Sequence, residues 1–384
     1  GVQTCALPIF SFRWADESKK HMKKRVTIKD IAIEAGVSTG TVHRAIYGKK
    51  GVGEEVQKRI IDLCLKHGYR INTVASALKR GNLRIVAAFP APEGKNRFFY
   101  SSVWQGFRRC MAELHDYNIE IVELPYYPGT EHDQSEVLFS CYKNYQGEID
   151  ALITIGRFDS LCTRVIQTYH EHNIPIFLAC DDMINCKRIA CVQADYTMTG
   201  RIVAELLSSQ LPKNSTVLIC AGNRSTPSHY QTVEGFEDYI AQNAIPLHVL
   251  KIYGYENERE LSIRLFEELD TRTGIAGAFS VSARLSILLA NEVRDLGKQN
   301  EIRVIASDLF PETIQNMELG IVKNIIYKNP EKQAYRAAQL MSNYVLKSQK
   351  PPCEVEYVES HVIFRSSLDM YRKYGENLLE TTDP

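Results

Sequence analysis

The sequence predicts an all-α head of three short helices followed by an α/β body of two lobes. Two charge facts and a change of periodicity lead there. The 384 residues hold 46 basic and 46 acidic side chains, so the chain as a whole is neutral. The neutrality is uneven: residues 22–81 carry 13 Lys/Arg against 5 Asp/Glu, residues 1–21 are net +1, and residues 82–384 are net −9. A basic head on an acidic body points to a polyanionic partner for the head alone. Near residue 83 the apolar pattern changes from helical spacing to short runs alternating with amphipathic stretches. About 300 residues is more than one core holds, which argues for two lobes. A hydrophobic content of 44% with 24% charge excludes wholesale disorder. No apolar run approaches the roughly 18–20 residues of a membrane span.

In the head, Thr27 is placed to cap a first helix, with Asp30 three residues on to complete a capping box. Ile28, Ile31, Ala32 and Ala35 form one apolar face, and Gly36 suits the left-handed turn that ends the helix. Ser38 caps a second helix in which Val42, Ala45 and Ile46 point inward, leaving Thr39, Gly40, Thr41, His43 and Arg44 facing out. A third helix, about 54–67, turns Val56, Ile60, Leu63 and Cys64 inward and stops at Gly68. Such a basic trio fits a helix-turn-helix reader of the DNA major groove, and from spacing alone it also fits a small bundle with solvated lysines.

The string Thr-Ile-x-Asp-Ile-Ala-x-x-Ala-Gly-Val-Ser-x-x-Thr-Val-x-Arg over residues 27–44 resembles the DNA-binding head of the lactose-repressor/galactose-repressor (LacI) family. The likeness continues through Val52, Val56, Arg59, Ile60, Gly68, Tyr69, Asn72, Ala75, Leu78 and Gly81. It implies that Thr39 and Gly40 occupy the base-reading pair, with His43 and Arg44 behind them. Gly40 has no side chain, so base readout falls to Thr39, His43 and Arg44, the last being the natural bidentate donor to guanine. Thr41 and Tyr47 are the expected phosphate contacts, and Thr27 is a further DNA-binding candidate. Residues 72–80 resemble the family's hinge helix, in which Asn72 opens the segment and Leu78 is the minor-groove wedge. The family's usual Pro before that Asn is Ile71 here, which loosens the junction.

In the body, strands are expected at 84–89, 119–124, 151–155, 174–179, 217–221, 247–253, 274–279 and 303–306, with helices filling most gaps. Repeating βα units argue for parallel sheets that bind ligands at the carboxyl ends of their strands. The layout resembles the type I periplasmic-binding-protein fold that follows the head in this family. That resemblance implies a small ligand clamped between lobes and three crossings, expected near 182–188, 308–311 and 328–335. The expected organisation is a non-native or disordered leader (1–21), a DNA-binding domain (22–71), a hinge (72–82), an effector domain (83–373) and a tail (374–384). Lobe 1 is expected at about 83–182 with 309–328, and lobe 2 at about 183–308 with 329–373.

Effector-binding candidates come from loops after strands: Asn96, Phe98 and Phe99 after the first, Asp182 after the fourth, His229 in a loop after the fifth, then Ser282, Asp308 and Tyr327. Thr232 stands where many relatives place Arg, a departure that puts the family's usual sugar clamp in doubt here. Carboxylates, an Asn and aromatic rings suit a neutral sugar or polyol, a class that the fold implies and the residues do not decide. Lys95, Arg97, Arg188 and Arg284 leave a phosphorylated effector open.

The ten cysteines show no Cys-x-x-Cys and no zinc spacing, and most lie in apolar segments, as buried thiols of a reducing cytoplasm do. No metal and no cofactor is expected. No Gly-x-Ser-x-Gly, Walker loop, Gly-x-Gly-x-x-Gly or His-Glu-x-x-His occurs, which argues against an enzyme. The leading expectation is a cytoplasmic DNA-binding repressor of carbohydrate uptake or catabolism genes. It would act as a homodimer on a pseudo-palindromic operator and respond to a sugar-like effector. The alternative is a solute receptor without a regulatory role.

Overall fold

The computed structural model describes residues 26–46, 51–67, 82–157, 159–183, 185–255 and 257–371. The chain separates into two compact units, residues 1–70 and 71–384.

In the head, α1 (Ile28–Ala35), α2 (Thr39–Ile46) and α3 (Glu54–Lys66) enclose a small core of Ile31, Ala32, Ala35, Val42, Ala45 and Ile60. The expected capping box is present: the Thr27 amide donates to Asp30 Oδ2 at 2.7 Å, and the Asp30 amide donates back to Thr27 Oγ1. Gly36 ends α1 at φ 66°, and Ser38 Oγ accepts the Thr41 amide at 3.0 Å to start α2. Two side chains from α3 tie the turn down. Arg59 donates to the Ala35 carbonyl and Gln57 to the Ala45 carbonyl, satisfying helix-end acceptors that would otherwise lack partners.

The body repeats one design twice. Sheet 1 runs in the order β11-β5-β4-β3-β1-β2 and sheet 2 in the order β12-β10-β9-β8-β6-β7. The strands are β1 (Leu83–Pro90), β2 (Ile119–Tyr126), β3 (Ala151–Thr154), β4 (Ile176–Ala179), β5 (Ala190–Ala194), β6 (Thr216–Gly222), β7 (His248–Tyr253), β8 (Ile275–Ser280), β9 (Arg303–Ser307), β10 (Val322–Tyr327), β11 (Val355–Val358) and β12 (His361–Phe364). Sheet 1 is parallel throughout, and in sheet 2 only β12 runs antiparallel to its neighbour. Helices α4 (Arg97–Ala112), α5 (Gln134–Asn144), α6 (Ser160–Glu171), α7 (Tyr196–Gln210), α8 (Pro227–Gln242), α9 (Glu258–Thr271), α10 (Ala283–Asp295), α11 (Pro311–Glu318) and α12 (Pro330–Lys347) cover both faces. Strands buried on both faces explain near-continuous apolar runs such as Val217–Ala221.

All eight expected strands coincide with observed ones to within two residues. β5, β10, β11 and β12 were not anticipated. Gln193 interrupts β5, Lys323 and Asn324 interrupt β10, and the two edge strands are only four residues long, with Glu356 inside β11 and His361 opening β12.

The lobe boundaries differ from expectation. β5 belongs to sheet 1, so the chain first crosses at Asp195, and 182–188 is a loop inside lobe 1. β10 pairs with β9, which keeps α11 and β10, and hence 309–328, in lobe 2. The second crossing lies between β10 and α12, at Asn329 (φ 55°), within the expected 328–335. α12 then lays Ala334, Ala337, Ala338, Met341 and Val345 on the lobe 1 core with Trp104 and Phe177. The third crossing falls between β11 and β12, not at 308–311. Periodicity marks a helix's apolar face but not which of two similar sheets receives it.

Candidate nucleic-acid interface and ligand cleft

On the head, Thr39, Gly40 and Arg44 are exposed along α2, with Thr41 and His43 half-buried beside them. The Thr41 hydroxyl lies 2.9 Å from Ser38 Oγ and accepts from Arg44 Nη2 at 3.4 Å, so Thr41 props the guanidinium at the helix surface. Thr27 spends its hydroxyl on Asp30 Oδ2 at 2.7 Å, a structural duty that leaves it exposed. Tyr47, Asn72 and Leu78 lie outside the described residues.

Between the two body lobes lies a cavity of about 370 Å³, at the carboxyl ends of the strands. Its size and mixed lining are those of a small-molecule site. Asn96, Phe98, Phe99, His229, Ser282 and Asp308 all line it, brought together from both lobes. Phe98 stands 4.8 Å from Phe310 across the mouth, and Phe99 packs edge-on to Tyr100. Ser282 also caps α10, accepting the Leu285 amide.

Two expected residues are not in the cleft. Asp182 is held by Arg188 through two bonds of 2.5 and 2.6 Å and accepts the Met183 amide. Its neighbour Asp181 is the carboxylate that lines the cavity. The backbone turns through Cys180 at φ 67°, so adjacent carboxylates leave in different directions. Tyr327 packs against Tyr371 and donates to Asn329 Oδ1, while Lys328 next to it enters the cleft. Successive side chains at a strand end point to opposite sides.

The deepest polar feature is the pair Asp308–Lys328. Asp308 is 1% exposed and Lys328 5%, with Lys328 Nζ 3.0 Å from Asp308 Oδ2. The ammonium directs a hydrogen bond to the Val281 carbonyl at 3.0 Å, and its approach to Asp308 Oδ2 lies off hydrogen-bond geometry. Burial pushes the Asp308 carboxyl up, against the pull of Lys328. Asp308 and Cys180 occupy equivalent strand ends in the two sheets: both have positive φ, and both donate their amide at 2.8 Å, to Ile326 and Val192.

His229 is in the first turn of α8 and not in a loop; Pro227 starts that helix immediately after the β6 turn. The helix is set by a close crossing with α7. A Cβ on Gly200 would meet the Thr232 carbonyl at 2.0 Å, and one on Gly235 the Thr197 carbonyl at 2.1 Å. Gly222 at φ 66° leaves room for the His229 ring, whose Nδ1 accepts the Asn223 amide at 3.1 Å. That bond places the ring proton on Nε2.

Burial, helped by Lys328, lowers the His229 pKa to about 3. The unfolded imidazole titrates near its usual ~6.5, so the unfolded state binds the proton that the folded state refuses. Stability from this group is full above that value and falls as pH drops toward 3. Wild type is expected to lose about 2 kcal/mol more than His229→Gln between pH 7 and 5, by urea denaturation. A constant difference would mean His229 folds equally well as the cation.

The sequences of both units match known families. A model of bacterial regulatory proteins of the lacI family matches residues 27–72, and a periplasmic binding protein domain matches residues 87–349. The chain belongs to the LacI family. It is 24% identical over 288 residues to catabolite control protein A of Priestia megaterium, covering 74% of this chain and 82% of that protein. It is 36% identical over 93 residues to the HTH-type transcriptional regulator RegA of Clostridium saccharobutylicum, covering 24% and 27% of the two chains. The body shares its fold with GanP, a glucose-galactose binding protein of Geobacillus stearothermophilus, at TM-score 0.64 and 21% identity, over 75% of this chain and 99% of that one. This LacI-family protein is therefore a DNA-binding transcriptional regulator. No helix among the described residues is long and apolar enough to cross a membrane.

Sequence reasoning missed Asp181, Lys328 and the tyrosines Tyr100, Tyr126, Tyr196 and Tyr255, all of which line the cleft. For Lys328 a signal existed. A lysine directly after the apolar run Ile325–Tyr327 has to find a buried carboxylate, and Asp308 was the candidate. For the tyrosines there was none, since an aromatic at a strand or helix end reads equally well as core.

Proposed function

We propose that this LacI-family regulator is a repressor of carbohydrate uptake or catabolism genes, and that its operator binding is controlled by a neutral sugar or polyol in the interlobe cleft. The observation that carries the ligand class is the pairing of the cleft's cations. Lys328 pairs with Asp308, Arg157 with Asp133, and Lys95 and Arg284 both with Glu258. Arg97 is engaged by Glu312, and Arg188 by Asp182. A phosphate would have to compete with a carboxylate at each of these cations. Hydroxyl groups need only the mixed donors and acceptors that Asp308, Lys328, Asn96 and His229 offer beside aromatic rings.

The regulator would work as a homodimer on a pseudo-palindromic operator, because one head covers half a site. Effector and operator would each favour a different lobe arrangement, so each changes the other's affinity by the same factor. Thr39, His43 and Arg44 are the proposed base readers, with Thr27, Thr41, Tyr47, Asn72 and Leu78 as the remaining contacts. A reading as a transport receptor accounts for the body but leaves the basic head without a role.

The test is a thermal-shift panel of pentoses, hexoses, polyols and their phosphates, followed by operator release measured by fluorescence anisotropy. A true effector at 100 times its dissociation constant is expected to stabilise the body by about 2.7 kcal/mol. A hit confined to sugar phosphates would overturn the neutral class. Hits that leave operator affinity unchanged would overturn the regulatory coupling.

A further inference from the structure

Helix α8 belongs to lobe 2, yet part of its amino-terminal cap comes from lobe 1. Thr226 at its N-cap makes no side-chain capping bond. The Ser228 amide, in the first turn, donates instead to Asp181 Oδ1 at 3.0 Å, from the loop after β4. A carboxylate on a helix amino terminus meets both an unfilled N–H and the positive end of the helix dipole. Asp181 is partly accessible through the cleft but surrounded by protein. Burial pushes its carboxyl up to about 6, with Ser228 and Lys328 pulling it down and Asp182 pushing it further up.

Further contacts join the lobes. At the rim, Lys95 pairs with Glu258, Arg97 with Glu312, and Phe98 with Phe310. Near the crossing, the Tyr196 hydroxyl donates to the Cys180 carbonyl at 2.5 Å. The rim cations are about half exposed, 57% for Lys95 and 48% for Arg97, so water and salt screen those pairs. The Asp181 bond lies deeper and is charge-assisted.

We propose that Asp181 is an interlobe latch: by capping α8 across the cleft it holds the two lobes closed before any effector arrives. The inference rests on reading the cleft as the effector site, and adds how that site is kept shut. An effector then acts on a population already biased toward closure, and Asp181 sets that bias. Asn at this position keeps an acceptor oxygen without a charge to desolvate, whereas Ala removes the acceptor.

The test is hydrogen–deuterium exchange on the full ligand-free chain. Asp181→Ala is expected to raise exchange about tenfold in peptides covering 223–232 and 94–99, the two sides of the closed cleft. Peptides over 28–46 and 216–222 serve as controls and stay unchanged. Asp181→Asn is expected to stay within about twofold of wild type at all four. Should Asp181→Ala fail to fold, Ser228→Pro removes the donor at a position where a helix tolerates proline, and the same rise is expected. Wild-type exchange in the variant that lacks the bond would overturn the latch, as would an equal rise in Asp181→Asn. The readout needs neither sugar nor DNA, so a panel without hits leaves it decided.

Discussion

Arg44→Ala is expected to cut sharply the discrimination between operator and unrelated DNA while leaving weaker, salt-sensitive binding. Arg44 is exposed in the last turn of α2, steadied among the described residues by the 3.4 Å bond from its Nη2 to Thr41. A bidentate arginine–guanine contact contributes about 1–3 kcal/mol of discrimination, roughly 5- to 150-fold for each half-site. The phosphate attraction of the other basic residues in 22–81 remains and carries no sequence information. Arg44→Lys is expected to lose most of the discrimination as well, because a point charge cannot reproduce the planar fork. Anisotropy titrations of operator and scrambled duplexes at two salt concentrations measure this. An unchanged ratio of affinities in Arg44→Ala would remove Arg44 from base readout.

The second large effect is expected at the buried pair. Lys328→Met leaves the Asp308 carboxylate at 1% exposure with no cation beside it. Removing one partner of a buried ion pair typically destabilises by about 3–5 kcal/mol. Part of that loss returns in the double variant Asp308→Asn/Lys328→Met, because no uncompensated charge is then buried. Asn also tolerates the φ of 66° that Asp308 adopts. Urea denaturation of the wild type, both single variants and the double variant gives the coupling directly. Strict additivity would mean that the two side chains do not interact. Effector response, once a ligand is in hand, is expected to vanish in both single variants while head-driven DNA binding persists.

Local chemistry was legible in the head because each signal lies within a few residues of its effect. Thr27 and Asp30 close a capping box three residues apart, Gly36 supplies a left-handed turn, and Ser38 caps the Thr41 amide. The same held for strands in the body, where an apolar run of the right length between turn residues suffices. Asp308 was legible too, as a carboxylate directly after a buried strand.

Other features depended on distances that no local pattern encodes. Asp181 and Asp182 are chemically identical neighbours, and only the turn at Cys180 and the approach of Arg188 decide which one enters the cleft. Tyr327 and Lys328 are separated by the same alternation, settled by where Tyr371 packs and where Asp308 waits. α12 could have covered either sheet, and joined lobe 1 because its small residues fit closely against α4, where Gly106 meets the Glu331 carbonyl.

By itself, then, the sequence determined the two-unit organisation, the helix-turn-helix head, the family and the βα character of the body, all of which follow from motif, charge and periodicity. The tertiary structure alone decided lobe membership, the cleft's true carboxylate and lysine, and the bond from Asp181 to α8. Those depend on how strand ends from two separate sheets converge, and that convergence is set by packing across the whole body.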